Sequence, residues 1–129
     1  MDMGHSNALG NLERVAATVL TTIISKPTEE RLVTDVEAKG LTMQSREKGL
    51  CATRGLVYIK DYGVYIDKVY DEHAIIYSKD LVEKLRIGDK LEIIPNHICP
   101  VVNLYDSAYL VAGDKVIKEV EIACRGMMG

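Results

Sequence analysis

Short runs of β-branched residues, each cut off by a turn signal, recur along almost the whole chain. They fall at 14–25 (RVAATVLTTIIS), 31–36 (RLVTDV), 56–59, 64–70, 73–77 (HAIIY), 91–94, 109–112 and 115–122. Val, Ile and Thr are stiff at χ1 and pack well on a pleated surface, so such runs favour strands over helices. Pro27, Gly40, Gly63, Gly88, Pro95 and Gly113 punctuate them. The spacing of roughly 8–15 residues predicts an all-β fold, a Greek-key-like barrel or sandwich of about eight short strands with at most a short helix. That helix is expected over 78–85, with Ser78 as its N-cap. The first run is long for a strand, so it should bend or pair with two partners, and Lys26-Pro27-Thr28 should end it. Lys39-Gly40-Leu41 is expected to turn the chain, and the charged stretch 44–55 to form a loop. A hairpin should turn at Gly113-Asp114, with Val120 and Ile122 facing inward.

A chain of 129 residues is one domain's worth, and 47% hydrophobic with 27% charged residues is ordinary for a globular domain. Residues 1–11 lack periodicity and read as a lead-in or interdomain tail, leaving 12–129 as the domain. The formal net charge of −3 gives no electrostatic case for a nucleic-acid partner. No apolar run is long enough to span a membrane, and no signal peptide is evident. Cys51, Cys99 and Cys124 are an odd, widely spaced set, a poor disulfide framework that points to a reducing, cytoplasmic setting. The seven Tyr, in a chain without Trp or Phe, are expected at the edges of the core or at an interface, because each hydroxyl needs a partner.

One segment stands apart: PNHICPVVNLYD, residues 95–106. It places His97 and Cys99 two apart, so on extended backbone both side chains would share a face. An imidazole nitrogen and a thiolate suit zinc. Pro95 and Pro100 bracket the pair and restrict the backbone. A structural zinc site wants four protein ligands, and no CxxC or second His cluster accompanies the pair. From spacing alone, a packed Cys and a backbone-bonded His account for the segment as well. Asn96, Asn103 and Asp106 are expected to orient this loop, and Lys39, among charged neighbours, to be a solvated lysine. His73, after Asp71-Glu72, is read as a surface or capping residue.

Those twelve residues closely resemble the PNHxCPTVNLxD signature of the C-terminal domain of the D-serine dehydratase and D-threonine aldolase family. Asp35-Val36-Glu37-Ala38-Lys39-Gly40-Leu41 is similar to that family's DAGSKAL-like element, Glu72-His73 to its EEHG element, and Ala123-Cys124-Arg125-Gly126 to its terminal AARG. Val101 stands where the signature has Thr, and Ala74 where the EEHG element has Gly.

The resemblance implies an alanine racemase-like architecture in full-length members. An N-terminal (β/α)8 barrel carries pyridoxal phosphate on a lysine, a C-terminal β-domain follows, and the protein is a homodimer. The family's metal ligands, a His and two residues later a Cys or Asp, fall on His97 and Cys99. The Cys leans toward the zinc-using dehydratase branch. The implied chemistry is removal or cleavage at the β-hydroxyl of a D-3-hydroxy amino acid. The coenzyme serves as electron sink, and zinc or another divalent metal as Lewis acid. Without the barrel, this chain alone is expected to have no lyase turnover. The competing expectation is a free-standing β-barrel interaction or dimerisation module in which His97 and Cys99 are structural.

Overall fold

The computed structural model describes residue 3 and residues 12–44, 52–66 and 68–127. Of the lead-in, only Met3 is among them, and it is fully buried; His5 and Cys51 lie outside the described residues. Nine strands are described: β1 (Val19–Thr28), β2 (Arg31–Thr34), β3 (Val57–Ile59), β4 (Val64–Ile66), β5 (Lys68–Val69), β6 (Ala74–Tyr77), β7 (Lys90–Pro95), β8 (Ser107–Ala112) and β9 (Lys115–Glu121). Three short helices join them: α1 (Ala38–Leu41), α2 (Lys79–Lys84) and α3 (Ile98–Val102). No helix among the described residues is long and apolar enough to cross a membrane.

Seven strands form one antiparallel sheet in the order β4-β3-β7-β1-β2-β6-β5. Its two outermost strands, β4 and β5, are separated by a single residue of chain, so the sheet must curl until its ends meet. The result is the all-β, barrel-like fold the residues foretell. Its interior is filled by Ile23, Leu32, Ile59, Ile66, Ile76 and Ile93, all fully buried. None of the seven Tyr is buried; Tyr58 and Tyr65 sit opposite each other on β3 and β4 with ring centroids 5.0 Å apart.

The long first strand does serve two partners. Val19 to Thr22 pair with β7, and Ile23 to Thr28 with β2. It begins later than expected, because Leu12–Arg14 form a 3-10 turn instead. Pro27 also fails to end it. The β1–β2 register shifts between Ser25 and Thr28, and a proline fits at such an irregularity. Ser78 caps α2, its hydroxyl accepting from the Leu81 N–H at 3.3 Å. The turn at 61–63 has Asp61 and Gly63 in the left-handed region, at φ 68° and 70°.

Two further expectations are corrected. Residues 39–41 belong to α1, whose Gly40 and Leu41 N–H groups both donate to the Glu37 carbonyl; the chain reverses only at Thr42, with φ 64°. The hairpin β8–β9 does turn at Gly113-Asp114, but it is a separate two-stranded sheet. Val120 is exposed and Ile122 only half-buried, because alternation along a strand marks two faces without saying which of them meets a core.

One polar knot, buried at Thr21 and open to solvent at Asp35, secures the start of the barrel. The Thr21 hydroxyl, fully buried, donates to Asp35 Oδ1 at 2.7 Å and accepts from the Val36 N–H at 3.1 Å; the Thr22 N–H also donates to Asp35 Oδ1, at 2.8 Å. Partial burial pushes the Asp35 carboxyl up, but the hydrogen bonds from Thr21 and Thr22 outweigh it and hold the group below its ordinary range. A folded value below the unfolded one, about 3.9, stabilises the fold above that pH and is lost as pH falls through the folded value. Thr21→Val should cost about 1–3 kcal/mol in urea unfolding at neutral pH, since it strands a buried N–H. It should also flatten the loss of stability below about pH 4. An unchanged midpoint and an unchanged acid limb would contradict this account of the knot.

Candidate metal-donor pair

Strand β7 delivers the chain to the signature segment. Pro95 is its last residue, and Asn96, buried, fixes the exit. The Asn96 carboxamide Nδ2 donates to the Gly55 carbonyl at 2.9 Å and to the Gln44 carbonyl at 3.4 Å. His97 is the N-cap of α3, extended at φ −142° and ψ 113°. Cys99 and Pro100 then lie within the first turn of that helix, where a proline costs little because its missing N–H has no intrahelical partner to lose. The expectation of extended backbone across the pair therefore holds only at His97. The two side chains flank a strand-to-helix junction, and shared strand alternation does not relate them.

His97 is half-buried, and its Nδ1 lies 3.0 Å from Gln44 Oε1. Cys99 is exposed and its thiol is free, as is that of Cys124. Among the described residues no group of three or more His, Cys, Asp or Glu side chains could hold a metal ion. This leaves His97 and Cys99 as a pair of candidate donors without a third side chain of those types beside them among the described residues.

The elements that carry the family resemblance, spread over some ninety positions, converge here. The Tyr105 hydroxyl donates to the Gly40 carbonyl at 2.9 Å, tying the signature segment to α1. A Cβ at Gly40 would lie 2.8 Å from that hydroxyl oxygen, so glycine, where the resembling pattern has Ala, admits the close approach. Burial, with the Glu37 and Asp35 carboxylates behind it, raises the Tyr105 phenol above its usual range and keeps it a donor. Lys39 on α1 pairs with Glu72, and the Ala38 N–H donates to the Tyr70 carbonyl at 2.9 Å, which joins α1 to the 70–73 turn. Asn103 accepts from the Gly126 N–H at 2.9 Å and Asp106 pairs with Arg125 at 2.8 Å, so both anchor the C-terminal turn. Of the three residues expected to orient the His97 loop, only Asn96 holds that junction directly.

Lys39 is solvated, as expected. Its hydrogen bond to Glu72 raises its pKa, the opposite of what an imine-forming lysine needs. His73 stacks on Tyr70 with centroids 4.9 Å apart, and the neighbouring Glu72 is taken by Lys39. Gln44, the side-chain partner of His97, escapes a reading of the sequence, since it lies 53 positions away with no motif of its own.

Residues 16–111 match the family model described as "Putative serine dehydratase domain". A 3-hydroxy-D-aspartate aldolase of Paracoccus denitrificans is 34% identical over 108 residues, which cover 84% of this chain and 25% of that protein. An uncharacterised protein of Mycobacterium tuberculosis is 28% identical over 116 residues, 87% of this chain and 85% of that one. The D-threonine aldolase structure from Filomicrobium marinum superposes with a TM-score of 0.73 at 25% identity, over 87% of this chain and 29% of that one. D-threo-3-hydroxyaspartate dehydratase from Delftia sp. HT23 shares the fold, with a TM-score of 0.67 at 20% identity over 83% of this chain and 32% of that one. Solved variants of a D-threo-3-hydroxyaspartate dehydratase replace a histidine or, two residues on, a cysteine by alanine, and the cysteine variant is in a metal-free form. The chain thus spans about a quarter of the aldolase it matches in sequence. By the match over residues 16–111, the chain belongs to the serine dehydratase domain family, whose relatives include D-threonine and 3-hydroxy-D-aspartate aldolases.

Proposed function

We propose that residues 12–129 are the C-terminal metal-donor β-domain of a lyase acting on D-3-hydroxy amino acids, and that His97 and Cys99 are its two metal ligands. The observation that carries this reading is the junction itself: an imidazole tethered through one nitrogen, two residues from an exposed free thiol. A nitrogen and a sulfur donor fit zinc, or another divalent metal of similar softness. Two donors leave positions open, as a metal that must also meet substrate requires.

Pyridoxal phosphate, when bound by the rest of such an enzyme, supplies the electron sink for cleavage beside the amino carbon. Lys39 does not suit that coenzyme, being solvated and paired with Glu72. We place the coenzyme on a (β/α)8 barrel outside these residues, in a cytoplasmic homodimer with no nucleic-acid or membrane partner. The work of this chain is then to orient a ligand pair. Asn96 fixes the exit from β7, and α3 presents Cys99 to the solvent side.

Equilibrium dialysis against zinc tests the proposal. The purified chain should bind about one zinc that the His97→Ala/Cys99→Ala double variant does not. Supplied with pyridoxal phosphate, zinc and D-serine or D-threonine, the chain alone should show no turnover. Equal zinc retention by both proteins would remove the ligand assignment, and turnover by the chain alone would remove the need for a barrel.

A second reading has its own observation. Tyr109, Leu110, Val111, Val116 and Ile117 on β8–β9 are all more than half exposed, 56–63%, on a two-stranded sheet that would be marginal by itself. The mycobacterial relative, 85% of which this chain covers, is of similar length. On this reading the chain is a free-standing dimerisation module that pairs with a second copy through the hairpin. A dimer in sedimentation, broken by Val116→Lys/Ile117→Lys and joined to equal zinc retention by the double variant, would favour it over the lyase domain.

A further inference from the structure

We infer that Gln44 is a positioning residue that sets the tautomer of His97, so that Nε2 is the nitrogen offered to the metal; the inference rests on the proposed role of His97. The contact is His97 Nδ1 to Gln44 Oε1 at 3.0 Å. A neutral imidazole has one N–H and one lone pair, and a carboxamide oxygen can only accept. The hydrogen is therefore on Nδ1 and the lone pair on Nε2. A ligand histidine is commonly held in this way by an outer partner, which fixes both its ring orientation and its basicity.

The backbone just before Gln44 is strained. Thr42, two residues before it, is β-branched yet sits at φ 64°, a conformation costing about 1–3 kcal/mol. Its N–H donates to the Ala38 carbonyl at 2.7 Å and closes α1. From the other side, Asn96 Nδ2 reaches the Gln44 carbonyl at 3.4 Å. Two successive residues of the signature thus engage one glutamine by their side chains, Asn96 at the Gln44 backbone carbonyl and His97 at the Gln44 side-chain oxygen. The clasp joins the α1 turn to the β7–α3 junction, and the amide brings no charge into the site.

Nitrogen-15 NMR of the metal-free chain reads the tautomer directly from the two ring nitrogens of His97. The wild type should hold the Nδ1–H form. Gln44→Leu should release it toward the Nε2–H form and weaken zinc binding about 10–100-fold. Gln44→Glu, whose carboxylate also accepts, should restore both. Gln44 is exposed, so the substitution removes no core contact, and an unchanged backbone amide spectrum confirms the fold. An Nε2–H ring in the wild type, or a tautomer that ignores Gln44→Leu, overturns the inference. A tautomer that shifts while zinc affinity stays constant overturns the positioning role. Failure of the donor reading looks different: His97→Ala would then leave zinc affinity unchanged, whatever the tautomer does.

Discussion

Cys99→Ala should weaken zinc binding by at least about 100-fold, more than the loss of an outer partner costs a ligand histidine. The sulfur is one of only two donors proposed here, and alanine offers nothing in its place. Cys99→Asp should behave differently. A carboxylate is a harder donor, so zinc affinity should fall while manganese or magnesium gains relative to it. The thiol is exposed and unpaired, so neither change disturbs the core. Competition with a chromophoric chelator measures both. Zinc affinity unchanged in Cys99→Ala would mean that the metal, if bound, sits elsewhere.

Ile93→Ala should cost about 2–5 kcal/mol, a large part of the 5–15 kcal/mol that holds a typical domain. Ile93 is fully buried in β7, the strand paired with β1 on one side and β3 on the other, opposite Val19 and Ile59. Neighbours fixed by two ladders cannot collapse easily into the cavity left behind. The same strand ends one residue before Asn96, so a looser β7 should also loosen the junction that holds His97. Urea unfolding with an unchanged slope reads the first effect, and zinc affinity at low urea reads the second. A loss below 1 kcal/mol would mean that β7 is not the centre of the core.

The barrel is legible in the residues because its signals are local. β-Branched runs mark the strands, and Gly63, Gly88 and Gly113 mark turns where the chain takes positive φ. Ser78 announces α2 for the same reason. The unusual length of the first run calls for a bend or for two partners, and it has two. What escaped notice depends on contacts far along the chain or on elements too short to show a period. Helix α3 has five residues, among them Ile, Val and Pro, and spans less than two turns, so nothing in it contradicts an extended reading. The inward placement of Val120 failed because the hairpin has no core among the described residues to face. The family signature points to His97 and Cys99, while the clasp by Gln44 and the approach of Tyr105 to Gly40 exist only once residues 53 and 65 positions apart are folded together.

Zinc K-edge X-ray absorption on the metal-loaded chain asks most directly whether this domain grips a cation through an imidazole and a sulfur. One sulfur at about 2.3 Å with nitrogen or oxygen at about 2.0–2.1 Å, the sulfur shell vanishing in Cys99→Ala, is the predicted spectrum. A first shell of light atoms alone in the wild type would contradict it.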